Sequence, residues 1–152
     1  MLIRKATKSD IKTLLNFGEK LHLVEKEFEP FLEYSRDEIN NKYLQQLNNP
    51  LALFLIAEDS DNSPMGYLYA HTNKINSKSN LLECQLEVIY ILPEFRNKGL
   101  SKQLINECIN WAKEKQITRI KTEIFSKNTI SVKAFENTGF NQYSSIYSLD
   151  IV

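Results

Sequence analysis

The sequence predicts an α+β domain in three layers, with a mixed central sheet and helices on both of its faces. Two observations predict it. Short runs rich in β-branched and aromatic residues alternate with longer segments whose apolar residues recur at helical spacing, in the order β-α-α-β-β-β-α-β-α-β. The chain is 152 residues long, 42% hydrophobic and 25% charged, which suits one well-buried core and is cramped for two. Residues 1–152 therefore read as a single domain.

Residues 2–6 alternate and form the first strand. Thr7 and Asp10 make a Thr-x-x-Asp capping signal, and Ile11, Leu14, Leu15 and Leu21 carry a helix over 8–23. Residues 24–34 are acidic and aromatic with Pro30 inside them, a loop or broken helix. Ser35 caps a second helix running to about Leu47, with Asp37 and Glu38 in the first turn that favours acids. Leu51 to Ala57 and Met65 to His71 flank a turn-rich stretch and pair as a hairpin. Leu81 to Leu92 is a long strand stopped by Pro93. Gly99 to about Lys115 is a helix whose Leu100, Leu104, Ile105, Cys108, Ile109 and Ala112 share a face. Thr118 to Phe125 is a strand. Asn128 to Asn137 is a short helix that Gly139 ends, and Phe140 to Val152 supplies one or two closing strands.

Equal numbers of basic and acidic residues, 19 of each, argue against a general nucleic-acid binder. The charges are unevenly placed. Residues 19–38 carry net −4 and residues 94–121 net +4, so one region suits a cation and the other an anion, unless both are solvated helix faces. No apolar run approaches the ~20 residues of a membrane helix, and Met1-Leu2-Ile3-Arg4-Lys5 contains no signal-peptide core. Cys84 and Cys108 lack metal-ligand spacing, which disfavours a disulfide framework and a cysteine zinc site and fits a reducing cytoplasm. No metal is expected.

The sharpest feature follows the long strand: Ile91-Leu92-Pro93-Glu94-Phe95-Arg96-Asn97-Lys98-Gly99-Leu100-Ser101. A strand ends, and a basic turn with one glycine opens a helix. The first amides of a helix lack intrahelical acceptors and point outward together, which makes an anion site. Gly99 permits close backbone approach, Arg96 and Lys98 screen phosphate charge, and Ser101 offers a hydroxyl. Neither the Gly-Lys-Ser/Thr of triphosphate loops nor the three glycines of the dinucleotide fingerprint is present. Taken alone, the segment also fits a helix start with exposed bases.

This segment resembles motif A of the GNAT superfamily of N-acetyltransferases, Val/Ile-x-Pro-x-x-Arg/Gln-x-x-Gly-x-Gly/Ala, through Ile91, Pro93, Arg96, Gly99 and, imperfectly, Ser101. Asn128 and Ala134-Phe135-Glu136-Asn137-Thr138-Gly139-Phe140 resemble motif B, and Ile3-Arg4-Lys5-Ala6-Thr7 with Asp10 resembles the family's opening. The resemblance implies a mostly antiparallel sheet with a bulged, splayed strand, and an enzyme that moves an acetyl group from acetyl-CoA to a primary amine.

By that resemblance, Arg96, Asn97, Lys98, Gly99, Leu100 and Ser101 hold the pyrophosphate. The backbone of Ile89 and Ile91 pairs with the pantetheine arm, and an amide near Ile89 polarises the thioester carbonyl. Asn128 and Phe135 lie near the thiol end; Asn128 equally suits a helix cap. The attacking amine must be neutral, so a general base helps. Alternation places Glu87 on the face of Ile91, with Glu83 and Gln85, and Glu87 is the candidate. The family's best-known base position corresponds to Gln85, and Glu87 also fits an ordinary strand glutamate; His71 and His22 are weaker candidates. Phe135 stands where the family's acidic tyrosine is usual, so the thiolate takes its proton from Tyr143 or Tyr147, or from water or the amine, or else the protein binds acyl-CoA without efficient catalysis. No cysteine lies on the motifs, so direct attack in a ternary complex is favoured over an acyl-enzyme. The acceptor is a small-molecule or peptide amine, cationic because the first two helices and the 24–34 loop are acidic. The rival reading is a non-catalytic acyl-CoA-binding module. Neither nucleic acid nor membrane is expected as a partner, and a homodimer is compatible with everything above.

Overall fold

The computed structural model describes residues 1–151. Five strands and four helices follow in the order β1 (Leu2–Lys5), α1 (Ile11–Glu25), α2 (Arg36–Gln46), β2 (Ala52–Glu58), β3 (Pro64–Lys74), β4 (Leu82–Ile91), α3 (Leu100–Glu114), β5 (Arg119–Lys121) and α4 (Thr129–Glu136). The strands lie in one sheet in chain order. The first four are antiparallel, and β5 joins parallel to β4 after the α3 crossover.

Strand alternation divides the interior into two cores. Leu53, Leu55, Leu68 and Leu86 face Leu104, Ile105, Cys108 and Trp111 of α3. Phe54, Ile56, Tyr67 and Tyr69 face Leu14 and Phe17 of α1 and Tyr43 of α2. Helix α2 is polar, and Tyr43 is its one buried residue among those described. That ring anchors it. Its centroid lies 5.0 Å from Phe54 and 5.2 Å from Tyr69, pairs worth about 0.5–1.5 kcal/mol each beyond area burial. The Tyr43 and Tyr67 hydroxyls share a hydrogen bond of 3.2 Å.

The caps follow the sequence. The Thr7 amide donates to Asp10 Oδ2 at 2.8 Å, and Ser35 Oγ accepts from the Glu38 amide at 3.4 Å. Arg4 grips Asp10 through both terminal nitrogens at 2.9 Å and also reaches Glu58 at 2.6 Å, tying β1 to β2 and to the start of α1. Those hydrogen bonds hold the Asp10 carboxyl down at about 2.

Three expectations are corrected. First, Glu87 does not share a face with Ile91. Val88 pairs with Tyr69 and Leu86 with Ala70, leaving Glu87 as the extra residue of a β-bulge. Alternation flips there. Cys84 and Leu86 before the bulge and Ile89 and Ile91 after it all pack toward α3, whereas Glu87 faces α2. Second, the strand expected over 118–125 pairs only as Arg119–Lys121, because beyond Gln85↔Lys121 the backbones of β4 and β5 separate. Third, no closing strand forms among the described residues of 140–151. Phe140 packs against the α3-side core, but residues 141–150 are exposed and lie in no ladder. Alternating apolar residues make a strand only where a neighbouring backbone supplies partners, and among the described residues that segment makes no backbone–backbone hydrogen bond, although the Tyr143 ring lies 5.2 Å from Arg119 and Lys121.

Candidate active site

The turn after β4 is built by backbone geometry. Pro93–Phe95 form a short 3-10 turn, Asn97 takes φ +60°, and Gly99 takes φ +76° as the residue capping α3. Gly99 is needed for its conformation; a Cβ there would meet open space. The first α3 bond runs from the Gln103 amide to the Gly99 carbonyl at 3.2 Å, and the amides of residues 97–102 find no acceptor among the described residues. Six successive free donors at a helix start form an anion nest. Arg96 is fixed by its Nε donating to the Ile91 carbonyl at 2.9 Å, with its guanidinium 5.7 Å from the Tyr90 ring centroid. Lys98 is exposed, whereas the Leu100 side chain is core, so only the Leu100 backbone is available to a ligand.

The bulge organises a second cluster. Glu87 Oε2 accepts from Lys42 Nζ at 2.6 Å, and its Oε1 lies 2.6 Å from His71 Nε2. Asn73 Nδ2 donates to His71 Nδ1 at 3.3 Å, an arrangement that leaves the Nε2 hydrogen to face Glu87. The Lys42 ammonium also lies 5.5 Å from the Tyr69 ring centroid. Burial pushes the Tyr69 phenol up, so it keeps its proton. Its hydroxyl is buried without a partner among the described residues, a cost of about 1–3 kcal/mol. His71 was legible as a candidate. Lys42 and Tyr69 were not, because neither belongs to a motif and their proximity to Glu87 depends on α2 docking.

Where β4 and β5 separate, a small cleft opens. Glu25, Glu87 and Glu123 line it together with Ile89, Asn128 and Phe135. Burial raises the pKa of Glu25. Asn128 caps α4, its Oδ1 accepting from the Ser131 amide at 3.2 Å, which matches its reading as a helix cap, and the residue also lines the cleft. Phe135 is buried, edge-on to Phe140 at 5.1 Å. Tyr143 and Tyr147 are exposed and do not line this cleft. Cys84 and Cys108 are buried and unbridged; the hydrogen bond they share and their burial push the Cys108 thiol up, which makes it a poor nucleophile. Among the described residues no group of three or more His, Cys, Asp or Glu side chains is arranged to hold a metal, and no helix is long and apolar enough to cross a membrane.

The acetyltransferase (GNAT) family model matches residues 19–140. Over 57 residues the chain is 37% identical to aminoglycoside N(6')-acetyltransferase type 1 of Salmonella typhimurium, a match spanning 38% of this chain and only 39% of that protein. An aminoglycoside 6'-N-acetyltransferase from Acinetobacter haemolyticus superposes with a TM-score of 0.76 at 24% identity, covering 99% of this chain and 97% of its own. A predicted acetyltransferase from Clostridium acetobutylicum, solved with acetyl-CoA, superposes at 0.80 with 20% identity, covering 99% and 96%. At those identities the superpositions establish the shared fold.

Proposed function

We propose that this chain, which belongs to the acetyltransferase (GNAT) family, uses residues 1–152 as one catalytic domain that acetylates a primary amine on a small polycationic molecule, with acetyl-CoA as donor. The observation that carries this reading is the cleft at the β4–β5 separation. Three carboxylates line it, next to β4 backbone that β5 leaves unpaired, on the strand that leads into the turn of free amides.

The amides of residues 97–102, with Arg96 and Lys98, hold the pyrophosphate. The unpaired side of β4 from Leu86 to Ile91 accepts the pantetheine arm as an added strand, bringing the thioester to the bulge. Lys42 already sets one ammonium on Glu87 at 2.6 Å, so the site is dimensioned for a cation. The acceptor ammonium displaces it. Glu87 takes the proton, the neutral nitrogen attacks the carbonyl carbon, the C–N bond forms, and the C–S bond breaks. The backbone amide near Ile89 stabilises the developing oxyanion. Phe135 has no proton to give, so the thiolate receives the one lost by the amine, through water. Aminoglycosides fit the class, and the relatives' names point the same way. The two unbridged thiols fit a reducing cytoplasm.

The test joins calorimetry with CoA to a thiol-release assay over aminoglycosides, polyamines and basic peptides. The reading requires CoA binding and turnover with at least one aminoglycoside or polyamine. CoA binding without turnover on any amine would instead support the acyl-CoA-binding module, which Phe135 favours. Absence of CoA binding would remove both.

A further inference from the structure

We propose that this chain acetylates itself: the side chain of Lys42 is an acyl acceptor built into the site, and bound acetyl-CoA converts it to Nε-acetyl-lysine. The inference rests on the functional reading above, with Glu87 as base and acetyl-CoA as donor, and adds an acceptor that the chain itself supplies.

Lys42 is held as an acceptor by contacts from two elements. Its Nζ lies 2.6 Å from Oε2 of Glu87, a carboxylate that lines the cleft. The same nitrogen stands 5.5 Å from the Tyr69 ring centroid, over a face that favours a cation. His71 Nε2 occupies the other Glu87 oxygen at 2.6 Å, which leaves Oε2 to Lys42. Base and nitrogen are thus at proton-transfer distance before any ligand arrives. A nitrogen tethered in this way reacts at an effective concentration far above that of a dilute free amine.

As a structural staple the pair has little to do. The Lys42 and Glu87 side chains are 44% and 28% exposed, and ion pairs so exposed contribute little to stability. Helix α2 is anchored instead by Tyr43, the next residue, whose ring is buried against Phe54 and Tyr69. Among the described residues, Lys121 is the other lysine paired with a carboxylate. It lies 3.1 Å from Glu83, which Arg119 also holds and which does not line the cleft. Lys121 therefore has an ion pair without the site and serves as an internal control.

The reaction balances within the site. Glu87 takes one proton from the Lys42 ammonium. The neutral nitrogen turns on its flexible stem and attacks the thioester carbonyl carbon. The N–C bond forms, the C–S bond breaks, and the electron pair leaves with sulfur. The second nitrogen proton passes through water to the thiolate, and Glu87 returns its own to solvent. The amide product carries no charge and no longer pairs as a cation with Glu87, so each chain reacts once.

The experiment incubates unacetylated full-length chain with acetyl-CoA and no amine, and follows intact mass, thiol release and peptide mapping. Each chain should gain one acetyl group, mapped to Lys42, and thiol release should stop at one equivalent per chain. The first-order rate constant should stay the same over about a 100-fold range of protein concentration, because acceptor and catalyst share one molecule. Glu87→Gln should slow labelling of Lys42 by at least about 10-fold relative to Lys121; circular dichroism checks that the variant is folded. Lys42 left unmodified while CoA binds overturns the inference, and turnover of a free amine by the same preparation then shows that the functional reading stands. Absence of CoA binding removes both. Labelling of Lys42 no faster than Lys121, in proportion to protein concentration, or at an equal rate in Glu87→Gln also overturns it, since the acetyl group then arrives without the site. Labelling at Lys42 with no turnover on any free amine upholds the inference and confines the acceptor to the chain's own side chain.

Discussion

The turn after β4 and the bulge within it lie a few residues apart on the same strand, yet they are assembled in opposite ways. The turn is made of consecutive residues and works through its backbone: a left-handed Asn97, a left-handed Gly99 and six unsatisfied amides. The bulge site is made of side chains from three elements, with Lys42 on α2, His71 and Asn73 on β3, and Glu87 on β4. A contiguous backbone site tolerates almost any side-chain change but not a change of conformation. A site gathered from distant elements fails one group at a time. The turn should therefore show all-or-none effects on cofactor binding, and the bulge graded effects on rate.

The largest effect is expected at Gly99→Glu, where a strained L residue and a negative charge enter the nest together. CoA affinity should fall by at least 100-fold in calorimetry, while thermal unfolding should drop by only a few degrees, since the left-handed strain costs about 1–2 kcal/mol and an added Cβ meets no neighbouring atom. A folded variant with unchanged affinity would detach the nest from the phosphates. Next comes Glu87→Gln, which preserves shape and removes the base. We expect kcat/KM to drop by roughly 10–100-fold near neutrality, at the low end of general-base effects, with partial recovery at alkaline pH as free amine rises, and CoA affinity unaltered. An unchanged pH–rate profile would remove Glu87 from the chemistry.

Lys42→Met should act more gently. Removing the internal ammonium from Glu87 should lower KM for a cationic acceptor several-fold at low ionic strength, with kcat little changed. A raised KM would mean that Lys42 serves to hold α2 against the sheet. The smallest effect belongs to Phe135→Tyr. The ring is kept and its hydroxyl enters the cleft, yet a thiolate leaves without much help, so kcat should stay within about threefold. A large gain would show that proton delivery limits the wild type; a large loss would show that packing against Phe140 admits no extra atom.

The turn could be read in the sequence because every feature it needs is local. Pro93 stops the strand, Gly99 marks the left-handed position, and Leu100, Leu104 and Ile105 mark the helix that follows. The helix caps at Ser35 and Asn128 were legible for the same reason. Glu87 was named from the sequence, but its face was inverted. One inserted residue in a ladder reverses alternation, and the insertion exists only relative to β3.

The sequence by itself determined the order of elements through α4, the capped helix starts and the left-handed glycine that opens α3. Each rests on contacts between residues a few positions apart, or on periodicity that a single segment carries. Tertiary structure alone decided which side of β4 Glu87 occupies, that Lys42 and His71 meet it there, where β5 parts from β4, and that residues 141–150 find no strand partner in their own chain. Those outcomes depend on register and docking between segments tens of residues apart, and pairing is a property of two backbones that neither one's sequence pattern contains.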